Sequence, residues 1–221
     1  MKYARQSETG FYNQESTMLH LLNHPLAAHI VTHLRDQTTK PATFRTLAYQ
    51  ISLLLALEAT RDLGMGKMTL QTPLEPHSGN VLTQPIVLVP ILRAGIAMVQ
   101  PFTDLFPDVS VGYIGLERDE ETAVARSYYS KLPPFGSKRV LILDPMLATG
   151  GSAVQAIQLV NAKRPSDLRL VCIVCAPEGV RAVEEIDPEI NIIAAALDRE
   201  LNARKYILPG LGDFGDRLYG T

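Results

Sequence analysis

Asp144 and the run Ala148-Thr149-Gly150-Gly151-Ser152 are the residues whose types and spacing bear most directly on chemistry. The apolar stretch Val140–Leu143 leads into Asp144, and Pro145, Met146 and Leu147 separate that carboxylate from the loop. A carboxylate at the tip of a buried strand costs free energy unless it is solvated or has a polar group to bind. The two glycines let backbone N–H groups approach an anion, and a helix opening at Ser152 adds the positive potential of its N-terminus. Thr149 and Ser152 add hydroxyl donors. This set suits a phosphorylated sugar, with Asp144 accepting from ribose hydroxyls and Ala148–Ser152 holding the phosphate. A Walker loop needs Gly-Lys-Ser/Thr, and no lysine lies between Leu141 and Ala162. The glycine spacing of a dinucleotide fingerprint is also absent from this loop. A tight strand-to-helix turn capped by Ser152 is the chemically silent alternative.

Two arginines and a glycine-rich tail extend the constellation. Ile86–Val89 runs through Pro90-Ile91-Leu92 to Arg93, then Gly95 and a helical stretch. A guanidinium at such a strand end can bind a diphosphate with two N–H groups at once. A lone arginine in a turn is ordinarily a surface residue, but the loop at Thr149 lies at the same sheet edge and favours binding. Arg118 follows the apolar run Val109–Leu116 and is also within reach of a diphosphate. It stands near the start of a polar segment, Glu117 to Arg139, containing Tyr128-Tyr129, Pro133-Pro134 and Gly136. Most of that segment reads as solvated connection, yet a stretch of more than about twenty residues in a compact domain suits a lid or arm. Tyr206 to Asp216 holds a literal Gly-x-Gly-x-x-Gly, but only six residues follow Gly215, too few for a dinucleotide-binding βαβ unit. It is better read as an irregular loop whose backbone closes on a ligand. Exposed peptide N–H and C=O groups complement the donor and acceptors of uracil, whereas cytosine inverts part of that edge. The residues alone do not select the base.

The elements that must position these groups follow from periodicity. Asn23 or His24 can cap a helix starting at Pro25, with Leu26, Ile30 and Leu34 on its inner face. A longer helix is predicted from Ala42 to Leu63, with Leu47, Ile51, Leu54, Leu55 and Leu57 on a wide apolar face and Gly64 as its stop. After Pro85, short apolar runs alternate with helical stretches. The runs are Ile86–Val89, Val109–Leu116, Val140–Leu143, Leu168–Cys175 and Ile190–Leu197, and the helices Gly95–Leu105, Ser152–Lys163 and Gly179–Ile186. Runs with little polar alternation are strands buried on both faces. The predicted fold is therefore α/β, a doubly wound and mostly parallel sheet with ligands at the C-terminal ends of its strands. No linker or repeat divides the chain. It reads as one domain, with a mainly helical part (1–84), a phosphate-binding core (85–197) and a base-binding segment (198–221).

Composition sets outer bounds. The 221 residues are 46% hydrophobic and 20% charged, enough for one sizeable domain. Lysine plus arginine number 21 against 23 acidic residues, a net charge of -2, which argues against binding nucleic acid or membrane through bulk charge. Two cysteines fit a reducing compartment, Met1–Gly10 has no apolar core for a signal peptide, and no run spans a membrane. A cytoplasmic protein is expected.

Val140 to Ser152 resembles the phosphoribosyl diphosphate (PRPP) fingerprint of type I phosphoribosyltransferases, with Pro145 where most members carry a second acid. Asp-Pro-Met-Leu-Ala-Thr-Gly-Gly-Ser resembles the version in the uracil phosphoribosyltransferases. Pro-Ile-Leu-Arg-Ala-Gly at Arg93, the Arg-Asp-Glu-Glu-Thr run from Arg118, and Tyr-Ile-Leu-Pro-Gly-Leu-Gly-Asp-Phe-Gly-Asp-Arg from Tyr206 resemble that family too. The resemblance implies PRPP and uracil as substrates, UMP and pyrophosphate as products, and Mg²⁺ held mainly by PRPP and water. It implies PRPP binding by Arg93, Arg118, Asp144, Pro145, Met146, Leu147, Ala148, Thr149, Gly150, Gly151, Ser152 and Asp213. It places uracil against Tyr206, Ile207, Gly212, Asp213 and Phe214, largely through main-chain groups, so that side-chain variation at Phe214 matters little. Arg93, Arg118, Asp144 and Asp213 are the catalytic set. A GTP effector and a homo-oligomer, dimer or tetramer, are further expectations. A phosphoribosyltransferase for another base and a non-catalytic nucleotide-sensing or RNA-binding regulator are the alternatives.

Other motifs read as structure. Cys172 and Cys175 are three apart in a strand, so they are expected on opposite faces, as core residues. His20, His24, His29 and His33 lack a carboxylate partner motif and read as surface or helix-end residues. Ala-Pro-Glu-Gly-Val from Ala176 resembles the same family but reads as a strand-to-helix turn.

Overall fold

A computed structural model describes residues 18–118 and 125–221, without the side chains of Arg118, Ala125 and Arg126. The expectations for Met1–Gly10 and for the middle of the Glu117–Arg139 segment lie outside the described residues. In chain order the elements are β1 (Leu19–Leu21), α1 (Pro25–Arg35), α2 (Pro41–Ala59), β2 (Met65–Gln71), β3 (Pro76–Leu82) and β4 (Ile86–Leu92). A 3₁₀ helix (Ala94–Met98) precedes α3 (Val99–Leu105), β5 (Ser110–Val111), β6 (Tyr113–Arg118), β7 (Ala125–Lys131), β8 (Arg139–Leu143) and β9 (Met146–Leu147). Then come α4 (Gly151–Asn161), β10 (Asp167–Cys175), α5 (Pro177–Ile186), β11 (Asn191–Leu197), β12 (Glu200–Leu201), β13 (Ile207–Leu208) and α6 (Phe214–Tyr219).

Nine of these strands form one sheet, ordered β1-β11-β10-β8-β4-β6-β7, with β5 beside β4 and β9 beside β10. Every pairing in it is parallel except β6 with β7. The central strands are apolar at both faces because both are covered. Leu88, Leu141, Leu143 and Val171 pack with α1, α2 and α6, while Val87, Val140, Ile142 and Leu170 pack with α4 and α5. The result is the expected doubly wound α/β fold.

Several sequence expectations need correction. α2 ends at Ala59 rather than Leu63. Thr60 closes it by donating its hydroxyl to the Ala56 carbonyl (2.6 Å), a local alternative to another helical turn. On α1 the buried stripe is Ala27, Ile30, Val31 and Leu34, and Leu26 is exposed. Leu57 is likewise exposed on α2. His24 is the N-cap, accepting from the Leu26 N–H through Nδ1 (3.1 Å). The run Val109–Leu116 is divided into β5 and β6, where Gly112 donates to the Leu88 carbonyl (2.8 Å). The polar segment after Glu117 contributes β7, which pairs back on β6 as an arm.

Cys172 and Cys175 share one face. At the end of β10 the N–H groups of Ile173 and Val174 both donate to the Pro145 carbonyl (3.0 and 3.1 Å). The alternation of faces slips there, placing Ile173 and Val174 in one layer and both cysteines in the other. Both thiols are free and buried. The bond to Cys175 and burial push the Cys172 thiol up.

Candidate active site

The parallel register brings five chain segments to one sheet edge. Pro90 pairs with Leu143, Leu92 with Gly115, Val171 with Leu143 and Cys175 with Leu197. Arg93, Arg118, Asp144, Ala176 and Asp198 therefore all stand at or just past the C-terminal ends of their strands, where an open α/β sheet binds ligands.

Asp144 is half-buried at the end of β8, and its backbone N–H donates to the Val171 carbonyl (3.1 Å). Burial pushes its carboxyl up to about 7, opposed only in part by a hydrogen bond from the Met146 N–H. Beyond it, Leu147 is fully buried in the core, and its carbonyl accepts from Ala176 N–H (2.9 Å). Pro145 is buried with its carbonyl bound to β10. The chain then turns at Gly150, the N-cap of α4, with φ at 84°, a left-handed conformation that a side chain disfavours. Gly150 lacks a side-chain cap, and Gly151 is exposed beside half-buried Thr149 and Ser152. α4, at eleven residues, points this N-terminus at the edge that carries Asp144.

Arg93 is exposed at the head of the 3₁₀ helix. Its loop is drawn against Asp144's strand by Gly95, where an added Cβ would lie 2.4 Å from the Leu143 carbonyl oxygen. Arg118 is the last residue of β6, three beyond the Gly115 that pairs with Leu92, and its side chain lies outside the described residues.

The C-terminal segment joins this edge through a two-strand hairpin, β12 with β13. Its turn is held by Asn202, whose Oδ1 accepts from the N–H groups of Arg204 (2.8 Å) and Tyr206 (3.0 Å). Tyr206, Gly212 and Asp213 are exposed, whereas Ile207 and Phe214 are buried. The segment is not wholly irregular, since Phe214–Tyr219 forms α6. Asp213 caps it by accepting from Asp216 N–H (3.0 Å). Phe214 packs edge-to-face on Phe44 at 5.3 Å. Its side chain therefore belongs to the core, and the expectation that its variation matters little does not hold: burial of that ring makes it part of the packing.

Sequence reasoning missed two features of the edge. In the turn Ala176–Val180, a helix start as expected, Glu178 Oε1 accepts from Leu201 N–H (3.0 Å) and ties α5 to the β12–β13 hairpin. Asp198, at the end of β11, is buried with Arg35 as its partner. Neither has a local motif. The histidines serve the frame: His20 Nε2 bonds Asn191 Oδ1 (2.9 Å), and the rings of His29 and His33 meet edge-on at 4.6 Å.

The model of the family described as uracil phosphoribosyltransferase matches residues 21–221. A uracil phosphoribosyltransferase from Malacoplasma penetrans is 45% identical over 205 residues, covering 92% of this chain and all of the relative. One from Roseiflexus castenholzii is 49% identical over 199 residues, covering 90% and 96%. The solved structure of the AQ2163 protein from Aquifex aeolicus is similar at a TM-score of 0.88 and 38% identity, over 92% of this chain and 99% of that one. A hypoxanthine-guanine phosphoribosyltransferase from Bacillus anthracis, 13% identical with a TM-score of 0.50 over 72% of this chain and 80% of its own, shares the fold. With its sequence matched along nearly its whole length and its strand ends arranged as above, the chain belongs to the uracil phosphoribosyltransferase family.

Proposed function

We propose that the chain transfers the 5-phosphoribosyl group of PRPP to uracil, giving UMP and pyrophosphate in pyrimidine salvage. The observation that carries this reading is one sheet edge holding Asp144, the uncapped glycine turn of α4 and the C-terminal hairpin, in a member of this family. Uracil N1 bonds to the anomeric carbon as the bond to pyrophosphate breaks and the N1 proton is lost. The chain's contribution is positioning and neutralisation of charge. Arg93 and Arg118 receive the diphosphate, Asp144 holds the ribose hydroxyls, and Ala148–Ser152 bind the 5′-phosphate. Main-chain groups between Tyr206 and Phe214 read the base, with Asp213 between base and PRPP.

Mg²⁺ belongs to this reading as an ion carried on the diphosphate. Mg²⁺ keeps several waters and takes phosphate oxygens readily, so the oxygens of the diphosphate suit it as ligands. When bound, it supplies further neutralisation of the leaving group. The reading also includes a GTP effector, a cytoplasmic setting and a homo-oligomer of two or four chains. Exposed Met65, Met68, Leu70 and Leu82 on the β2–β3 hairpin support assembly. No helix among the described residues is long and apolar enough to cross a membrane. GTP added to the assay and sedimentation of the purified protein test the effector and the assembly.

The direct test is Mg²⁺-dependent release of pyrophosphate from PRPP on adding uracil, against cytosine, hypoxanthine and orotate. Turnover with uracil alone is expected, and turnover with hypoxanthine but not uracil would overturn the assignment. Arg93→Ala and Asp144→Asn should each lower kcat by about 100-fold or more while the protein stays folded. Wild-type kinetics in both would place the site elsewhere.

A further inference from the structure

Two residues outside the set assigned above grip the segment that the proposed function gives to the base. Asp198 lies just past β11, and its side chain is 3% exposed. Arg35 ends α1 and reaches it with both guanidinium nitrogens, Nη2 to Oδ1 at 2.6 Å and Nη1 to Oδ2 at 2.8 Å. The same carboxylate accepts from the Gly210 N–H (2.8 Å), and the same Nη1 donates to the Gly210 carbonyl (2.8 Å). The pair thus holds the two peptide groups on either side of one α-carbon, two residues before Gly212 and three before Asp213. The next carbonyl, of Leu211, accepts from Arg217 Nη1 (2.8 Å), whose guanidinium also donates to the carbonyls of Leu34 and Asp36. The base segment is therefore docked on the C-terminal end of α1.

A base read by main-chain donors and acceptors needs those peptide planes held still, because a rotated plane carries its N–H and C=O away from the base together. The side chains of Ile207 and Phe214 point into the core and are turned away from such a ligand. We infer that Arg35 and Asp198 are positioning residues for base recognition, setting the orientation of the Gly210 backbone and, through it, of Gly212 and Asp213. The inference rests on the proposed role of Tyr206–Phe214.

The test separates positioning from simple stability. Removing either partner alone leaves a buried charge unpaired and destabilises the fold, so Arg35→Met is combined with Asp198→Asn. In the double variant the asparagine can still accept from Gly210 N–H, but nothing holds the Gly210 carbonyl or fixes the amide. The double variant should melt near the wild type. Its KM for uracil should rise by about tenfold or more, while its KM for PRPP stays within about twofold. Arg35→Lys keeps the charge but cannot grip Asp198 and the Gly210 carbonyl with one planar fork, and should fall between. If the double variant does not fold, this milder change carries the same comparison of KM values. Wild-type KM for uracil, or equal rises for uracil and PRPP, would overturn the inference. Gly212→Ala puts a side chain on a left-handed backbone (φ 82°) inside the base segment and so tests the underlying main-chain reading. An unchanged KM for uracil there would mean the base binds elsewhere. A raised value there, beside an unaffected Arg35/Asp198 variant, would sink the positioning role alone.

Discussion

Asp144 stands half-buried beyond β8, where burial raises its carboxyl to about 7 against an ordinary value near 4 in an unfolded chain. Between those two values the folded protein keeps a proton that the unfolded chain has lost. Its contribution to stability is therefore fully present below about pH 4 and is lost as pH rises through about 7. A carboxylate kept at that cost does not serve packing, which is consistent with the ribose-binding role proposed for it. Asp144→Asn removes the ionisation and keeps the shape. The variant should melt above the wild type at pH 8, converge with it only below about pH 4, and lose turnover at pH 8. A thermal melt at the two pH values decides this, and a lower melting temperature for the variant at pH 8 would show that the ionised carboxylate is instead well solvated.

The loop that carries Arg93 and the strand that carries Asp144 meet at Gly95. A Cβ there would come within 2.4 Å of the Leu143 carbonyl and 3.2 Å of Pro90 Cβ, and the carbonyl cannot swing aside as a flexible side chain could. Gly95→Ala should push the 3₁₀ turn away from β8, lowering kcat/KM for PRPP by about 10- to 100-fold and costing about 1–3 kcal/mol of stability. Kinetics unchanged from the wild type would mean that the two loops do not act as a unit. This junction also shows what a linear reading can find. Asp144, Thr149 and the head of α4 are legible because strand, turn and helix are contiguous, and the five central strands because burial on both faces leaves apolar runs. β7 is polar and mostly exposed, β1 has three residues, and the β2–β3 hairpin is exposed along nearly its whole length, so none carries a period to read. The contacts of Arg35 with Asp198 and Gly210 span 163 and 175 residues of chain, and only the folded molecule brings them together.

Across the whole molecule the sheet divides its work between its two edges. At the end opposite Asp144, Arg139 opens β8 and is 3% exposed. It donates to Asp167 (2.6 Å), to Asp62 (2.7 Å) and to the Ala59 carbonyl (3.2 Å). Arg169 joins the same two carboxylates at 2.6 and 3.4 Å. This network fastens the C-terminal end of α2 to β8 and β10, and so fixes the helical layer against the sheet. Arg169, and against burial Arg139 as well, hold the Asp62 carboxyl well below the usual carboxylate range. Its contribution is present above the ordinary carboxylate value and is lost as pH falls through the lowered one. Arg139→Met leaves Asp62 and Asp167 to Arg169 alone and should destabilise the fold by about 1–3 kcal/mol, read as a lower denaturation midpoint at neutral pH. The deficit should shrink in acid, as the carboxylates take up protons in the variant before they do in the wild type. Roughly 16 Å of strand separates Arg139 from Asp144, five steps at about 3.3 Å per residue, so kcat and both KM values should stay near wild type wherever the variant is folded. A folded variant that lost turnover would show that the anchoring edge also shapes the catalytic one.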